Sequence, residues 1–203
     1  KPIRVASTKV LSLNGQAVAV IQLVNPNTNI GAEKFSYSLQ VLNDAGISLK
    51  TLNGESFIYP GELKYIIEPN LDYPASQVKD LNVIINDIKW QTGDKFIKPK
   101  IQIRNLETGF LEDSLAGEVG LPVGGHGIAV KGVVWNGETN VFKNIILNVL
   151  LRDQSGIIVG ATRTMVERLG AGEEAEFLVN FPWSDRLSGA EIKATQVFVE
   201  VKN

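Results

Sequence analysis

The sequence predicts an all-β chain built of two tandem immunoglobulin-like β-sandwich domains, on the basis of three observations. Apolar and polar residues alternate in several segments, the best helical candidate is interrupted by glycine, and the second half of the chain repeats strands and turns of the first half. Short alternating strands separated by regular turn signals are typical of β-sandwiches.

The alternation is clearest at Phe35, Tyr37, Leu39 and Val41, which share one face of a predicted strand. In an extended chain successive side chains point to opposite faces, so this row predicts a half-buried strand. The same period recurs in three further segments: Ile145–Leu151, Phe177–Phe181 and Val197–Val201.

The best helical candidate is Thr164–Phe177, where Met165 and Leu169 have helix-like spacing. Gly170 and Gly172 interrupt this segment, and a glycine costs about 1 kcal/mol in a helix interior. We therefore predict a strand followed by a turn, which leaves no sustained helical stripe in the chain.

An internal repeat places Val18–Ile67 over Ile128–Val179 with turn residues in register. In each copy we expect a hairpin formed by an Asp that caps its own backbone and a following Gly. We also expect about seven short strands in each copy. The matched segments are Val24–Thr28 with Val134–Thr139, Asp44–Gly46 with Asp153–Gly156, Pro60–Glu62 with Ala171–Glu173, and Tyr65–Ile67 with Phe177–Val179.

The domain entries also agree, because Lys1–Arg4 is similar to Lys98–Ile101. This predicts a first domain of residues 1–97 and a second of residues 98–203, the latter with a glycine-rich insertion at 107–127.

Composition excludes several classes of function. Twenty Lys and Arg against 22 Asp and Glu provide no excess positive charge to attract nucleic acid or an anionic membrane. The chain contains no cysteine, so it has neither disulfides nor thiolate metal sites. No apolar run reaches the ~20 residues that span a bilayer, and the start at Lys1 suggests a processed piece, with any membrane contact made by a missing segment.

Most hydrolytic mechanisms need a base that titrates near neutrality, and His126 is the single histidine. A hydrolase would need Ser114 as a nucleophile and a carboxylate such as Asp113 to orient the imidazole, whereas a solvated loop residue is the simpler interpretation. One histidine without cysteine also makes zinc implausible. We predict no catalytic residues and no cofactor.

Clustered carboxylates also have simple structural explanations. Glu173, Glu174 and Glu176 could serve a glycosidase, but Glu174 and Glu176 share the outer face of a predicted strand. Calcium could bind in three loops, none of which has EF-hand spacing, so turn capping is sufficient and no metal site is predicted: Asn43–Asp44, Asp80–Asn82 and Glu112–Asp113.

Aromatic residues leave two alternatives open. The segment Lys89–Arg104 mixes basic residues with Trp90 and Phe96, as single-strand binders do, but a solvated linker whose two aromatic residues pack at the domain junction is preferred. Trp135 or Trp183 could be an exposed platform for a sugar ring, or the cover of a small core.

With these residues in view, the chain resembles the FxLYD family of bacterial envelope domains and the water-stress immunoglobulin-like domains of late-embryogenesis proteins. The resemblance covers about fifty residues of each half. The chain departs from the family's motif at its tyrosine, since Arg152 and Asn43 stand at that position in the two copies. It rests on Val133–Asn136, Val149–Asp153 with Gly156, and Gly172–Glu173 in the second copy, and on Val24–Asn25, Leu42–Asp44 with Gly46, and Pro60–Glu62 in the first.

The tandem also looks like uncharacterised membrane-anchored bacterial proteins whose exposed part follows one N-terminal helix. The resemblance implies a non-enzymatic, extracytoplasmic structural or interaction module whose partner is an envelope protein. The alternative is a glycan-binding module that uses an exposed tryptophan, and a hydrolase at His126 is a third hypothesis.

Overall fold

The computed structural model describes residues 1–110, 127–182, 184, 187 and 192–202. It confirms the all-β prediction, since these ranges contain twelve strands in four three-stranded antiparallel sheets and a single turn of 3₁₀ helix at Ala75–Gln77. No helix within the described ranges is long and apolar enough to cross a membrane.

The first six strands form the sheets β1–β2–β5 and β4–β3–β6, and the next six form β7–β8–β11 and β10–β9–β12 in the same order. Each half therefore has six described strands rather than the seven expected. The strands are β1 Arg4–Leu13, β2 Gln16–Val24, β3 Ile30–Leu42, β4 Ser48–Ile58, β5 Leu63–Glu68, β6 Asp80–Thr92, β7 Ile101–Phe110, β8 Gly127–Asn136, β9 Phe142–Asp153, β10 Ile158–Leu169, β11 Glu174–Pro182 and β12 Ile192–Glu200.

Two compact units divide the chain. The first comprises Lys1–Leu11, Gln16–Pro99 and Lys202, and the second comprises Ser12–Gly15 and the described residues of Lys100–Val201. Along the chain the change from first to second falls between Pro99 and Lys100, two residues after the boundary that the sequence predicts.

Each unit is a sandwich whose two sheets share one apolar core. The alternating row of β3 lies in the first core with residues of β2, and the row of β11 lies in the second core with residues of β9. The predicted burial of one face of these two strands is confirmed. Burial of such rows is the main force that holds a sandwich together. The core-facing residues of these two rows are Phe35, Tyr37, Leu39, Val41, Phe177, Val179 and Phe181.

The predicted hairpin caps are correct in one copy and displaced by one residue in the other. Asp153 Oδ1 accepts hydrogen bonds from two backbone N–H groups of its turn, but in the first unit Asn43 makes these bonds and Asp44 does not. Asn43 is thus the structural equivalent of Asp153. Asn competes equally well for this role because its side-chain oxygen accepts the same bonds.

The match of Tyr65–Ile67 with Phe177–Val179 is also wrong by one residue. Ile21 pairs with Ile66 on β5 just as Gly132 pairs with Phe177 on β11, and Ile66 is the residue that enters the first core. A slip of one residue exchanges the two faces of a strand, so Tyr65 and Ile67 lie on the opposite face.

Two predicted irregular segments contain strand. Residues 107–110 of the predicted insertion belong to β7 and Gly127 begins β8, while residues 111–126 lie outside the described part of the chain. The predicted linker Lys89–Arg104 contributes its first residues to β6 and its last to β7. Only residues 93–100 connect the two strands.

Candidate functional site

Each unit contains a corner where a buried asparagine ends a central strand. In the first unit this is Asn25, directly after β2 and 1% exposed. Its Nδ2 donates to the carbonyl oxygens of Ile30 at 2.8 Å and Tyr59 at 3.0 Å, and its Oδ1 accepts from the backbone N–H of Asn27 at 3.0 Å. One side chain thus ties the loop after β2 to the end of β4.

The second unit builds the same corner around Asn136, which is 0% exposed. Its Nδ2 donates to the carbonyl oxygens of Asn140 at 2.7 Å, Gly170 at 2.8 Å and, more weakly, Leu169 at 3.3 Å. Its Oδ1 accepts from the backbone N–H of Glu138 at 2.9 Å. The side chain therefore satisfies backbone groups that water cannot reach.

A glutamate completes each corner from the neighbouring turn. Glu62 Oε2 accepts from the backbone N–H of Tyr59 at 2.8 Å, and Glu173 Oε2 accepts from that of Gly170 at 2.5 Å. The glycine before each glutamate has a φ of 64° or 68°, the left-handed conformation that L side chains rarely adopt. The polar residues shared by the two halves therefore serve the architecture.

Beside the first corner lies an aromatic cluster with a buried lysine. The rings of Tyr59 and Phe96 stack with centroids 4.3 Å apart, and Phe57 meets both rings edge-on. The Nζ of Lys64, which is 5% exposed, lies 3.8 Å from the centroid of Phe57. Phe96 therefore packs within the first unit, while Trp90 in β6 is 37% exposed.

Trp135 carries a cation on one face of its ring. The guanidinium carbon of Arg104 lies 3.8 Å from the ring centroid, and Nη1 of Arg104 also pairs with Glu174 Oε1 at 2.8 Å. A sugar ring would have to displace Arg104 in order to stack on that face. The backbone of Gly137 lies against the six-membered part of the indole.

Removing the cation should destabilise the second unit measurably. We expect Arg104→Met to lower the free energy of unfolding by about 0.5 kcal/mol, a small value because the arginine is partly exposed. Lys131→Met is the matched control, since Lys131 pairs with Glu107 at 2.9 Å and has no ring beneath it in the described contacts. Urea denaturation of both variants checks this, and equal losses would show that the ring contact contributes nothing.

The outer face of the β4–β3–β6 sheet, termed here the outer polar face, is ordered by side-chain pairs between strands. The same face carries the apolar side chain of Ile84, which is 43% exposed. Such cross-strand pairs fix side chains that would otherwise move freely in solvent. The pairs are Ser36 with Asp87 at 2.7 Å, Ser38 with Asn53 at 2.8 Å, Gln40 with Asn82 at 2.9 Å and Lys34 with Glu55 at 2.7 Å.

One ion pair of this sheet sets a pH dependence. A hydrogen bond from Lys89 Nζ to Glu33, at 2.5 Å, lowers the pKa of Glu33, against a smaller opposing effect of burial. Because the folded pKa lies below the unfolded one, the stabilisation is complete above the unfolded pKa and is lost as pH falls through the folded pKa.

We expect Lys89→Met to raise the pKa of Glu33 towards its ordinary value, because the variant loses the hydrogen bond and the positive charge. NMR titration of the side-chain carboxyl carbon measures this directly. Lys34→Met, which removes the partner of Glu55, serves as the control. A Glu33 pKa that is the same in wild type and Lys89→Met would contradict the assignment.

The structure describes only some of the candidate residues for catalysis, metal binding and sugar stacking. His126, Ser114, Asp113, Glu112 and Trp183 lie outside the described residues. No group of three or more metal-ligating side chains occurs among the residues that are described.

The remaining candidates have structural positions. Glu174 and Glu176 lie on the exposed face of β11, Asn43 caps its turn, and Asp80 Oδ1 accepts from the backbone N–H of Leu81. Nothing in the sequence indicated that Lys64 is buried; it lies in β5 next to Tyr65, in a run of four buried residues.

Comparisons with known proteins identify no family. No family model matches the chain, and no curated protein matches it significantly. Among solved structures it is similar to a red sea bream transglutaminase, with 9% identity over 98% of this chain and 31% of that one and a TM-score of 0.26. It is also similar to the N-terminal CBM22-1-CBM22-2 tandem domain of a Paenibacillus barcinonensis protein, with 7% identity over 98% of this chain and 84% of that one and a TM-score of 0.19. These likenesses are too weak to carry an argument about function.

Proposed function

We propose that the chain is a non-enzymatic structural or protein-interaction module of the cell envelope, made of two tandem immunoglobulin-like domains of the FxLYD type and presented outside the membrane. The observation that supports this most is the duplicated corner. In both halves the buried asparagine and its glutamate partner hold backbone groups in place, Asn25 with Glu62 and Asn136 with Glu173. A module of this kind offers rigid surfaces rather than a reaction centre.

The surface best suited to a protein partner is the outer polar face. Its side chains are held by their neighbours across the strands, so binding would cost little side-chain entropy. Ile84, on the edge strand β6 and opposite Ser38 of β3, adds an exposed apolar anchor to the face. An apolar side chain beside ordered polar groups is an arrangement that protein interfaces use.

The proposal is tested by immobilising the 203-residue chain and exposing it to native envelope extract. We expect saturable retention of one protein, and loss of that protein when Ile84→Glu places a charge on the outer polar face. Leu178→Glu is the matched control, because Leu178 is similarly exposed, at 41% against 43%, but lies on β11 of the second unit.

Three results would contradict the proposal. Retention of a glycan without protein would favour the sugar-binding alternative, and retention of a protein only from the cytosolic fraction would contradict the envelope location. Equal retention by both variants would place the binding surface elsewhere. Each variant is first checked for an unchanged unfolding midpoint, so that lost binding is not lost folding.

A further inference from the structure

The chain contains the dipeptide Asn-Gly three times, and the fold places the three copies in different environments. An asparagine followed by glycine can lose its side-chain amide, because the glycine backbone nitrogen meets no side chain as it approaches the asparagine Cγ. The three pairs are Asn14–Gly15, Asn53–Gly54 and Asn136–Gly137. They share one intrinsic chemistry, so any difference between them reflects the structure.

Asn136–Gly137 is protected at both reacting groups. The leaving nitrogen, Asn136 Nδ2, donates to carbonyl oxygens at 2.7 and 2.8 Å inside the buried corner. The attacking nitrogen of Gly137 donates to the carbonyl oxygen of Lys100 at 3.0 Å. Reaction there would require the whole corner to open.

Asn53–Gly54 is held within β4. The two residues pair with Ser38 and Tyr37 of β3, and Asn53 Oδ1 accepts from the Ser38 hydroxyl at 2.8 Å. Gly54 lies directly under the Tyr37 ring, where an added Cβ would come within 2.4 Å of it. The backbone rotation needed for attack would break the strand pairing.

Asn14–Gly15 has neither form of protection. The pair is the two-residue turn between β1 and β2, exposed at both residues, with φ of 50° and 77°. Within the described part of the chain the Asn14 side chain makes no hydrogen bond. Neither residue of the turn is buried, and exposed turns are among the parts of a fold that open most cheaply.

We infer that Asn14 is a site of spontaneous deamidation in the native chain. The Gly15 nitrogen bonds to Asn14 Cγ and the Cγ–Nδ2 bond breaks, so that ammonia leaves with the amide proton and a succinimide remains. Water then opens the ring at either carbonyl, which leaves aspartate or isoaspartate at position 14. The product carries one negative charge more, and the isoaspartyl form lengthens the backbone inside a two-residue turn.

The test incubates the folded chain in warm, mildly alkaline buffer and follows three tryptic peptides by mass spectrometry. The gain of one mass unit is scored in Val10–Lys34, Thr51–Lys64 and Gly132–Lys143, with fragmentation to locate it. A sample taken before incubation corrects for deamidation during digestion. We expect Asn14 to react at least about tenfold faster than Asn53 or Asn136, because only the other two require strands or the corner to open first.

A parallel incubation in concentrated urea separates structure from sequence. In the unfolded chain the three asparagines should react at similar rates, because the protection by the corner and by β4 is gone. The inference is overturned if Asn14 reacts no faster than Asn53 and Asn136 in the folded chain. It is also overturned if the urea sample keeps the same preference for Asn14, since the fold would then not be its cause.

Discussion

Asn136→Ala is expected to lower the free energy of unfolding by about 3 kcal/mol, because it removes the partners of several buried backbone groups at once. The side chain is wholly buried, and its amide serves the carbonyl oxygens of Asn140, Leu169 and Gly170 while its Oδ1 serves the N–H of Glu138. Alanine fills none of these roles. A buried backbone group left without a partner costs more free energy than its hydrogen bond contributed, because water cannot enter freely to take the partner's place.

Two further variants locate the cause of that loss. Asn140→Ala keeps the carbonyl that Asn136 uses and removes only an exposed side chain, so we expect a change within about 0.5 kcal/mol. Asn136→Asp keeps the acceptor for Glu138 but loses the amide donors, and should be as damaging as alanine. Urea denaturation supplies the three free energies. A result for Asn136→Ala no larger than that for Asn140→Ala would mean that the corner does not hold the unit together.

Much of the fold could be predicted because the alternation of a strand is visible in the order of apolar and polar residues along the sequence. The rows that begin at Phe35 and Phe177 alternate without interruption, and both are buried as expected. Gly170 and Gly172 correctly indicated that this segment is not a helix. Strand β10 ends at Leu169, and the two glycines lie in the turn that follows. Period and turn chemistry are local properties, so they survive without knowledge of the partner strands.

Register could not be predicted as well, because it depends on which of two adjacent residues the turn selects. Asn43 and Asp44 can both cap a backbone, and only the structure shows that Asn43 does so. Strand irregularities have the same origin: β6 contains Asp87 at a φ of 50°, where its pairing with β3 shifts. A bulge reverses which residues face inward beyond it, and nothing in the residues around Asp87 marks the position clearly.

The corners were recognised as matched turns, but their roles were not. A buried asparagine at the end of a strand looks like an ordinary turn residue, because the carbonyl groups it serves lie more than 30 residues away in the case of Asn25 and Tyr59. The contact of Arg104 with Trp135 is hidden for a similar reason, since it depends on the pairing of β7 with β8. Asn14–Gly15, in contrast, is a local hairpin signal that could have been found.

Phe181→Ala is expected to cost about 3–5 kcal/mol, because it removes a large side chain from the second core. Phe181 is 0% exposed, and its ring lies over Gly160 of β10, close to Leu151. Gly160 has no side chain that could move into the space, and β10 is held by its pairing with β9. The cavity therefore persists. Leu178→Ala, in the same strand but on its exposed face, should cost less than about 1 kcal/mol in the same urea titration.

The packing of Phe181 on Gly160 can be measured with a second change. Gly160→Ala alone places a Cβ 3.0 Å from the Phe181 ring, so we expect overpacking that costs about 1–3 kcal/mol. In the Phe181→Ala background the same Cβ enters the space that the ring has left and should be neutral or stabilising. The double variant should therefore lose less than the two single losses added together, which is the signature of direct contact. If the losses in the free energy of unfolding are additive, the cavity closes by other means, and the Phe181 ring is not the reason that residue 160 is a glycine.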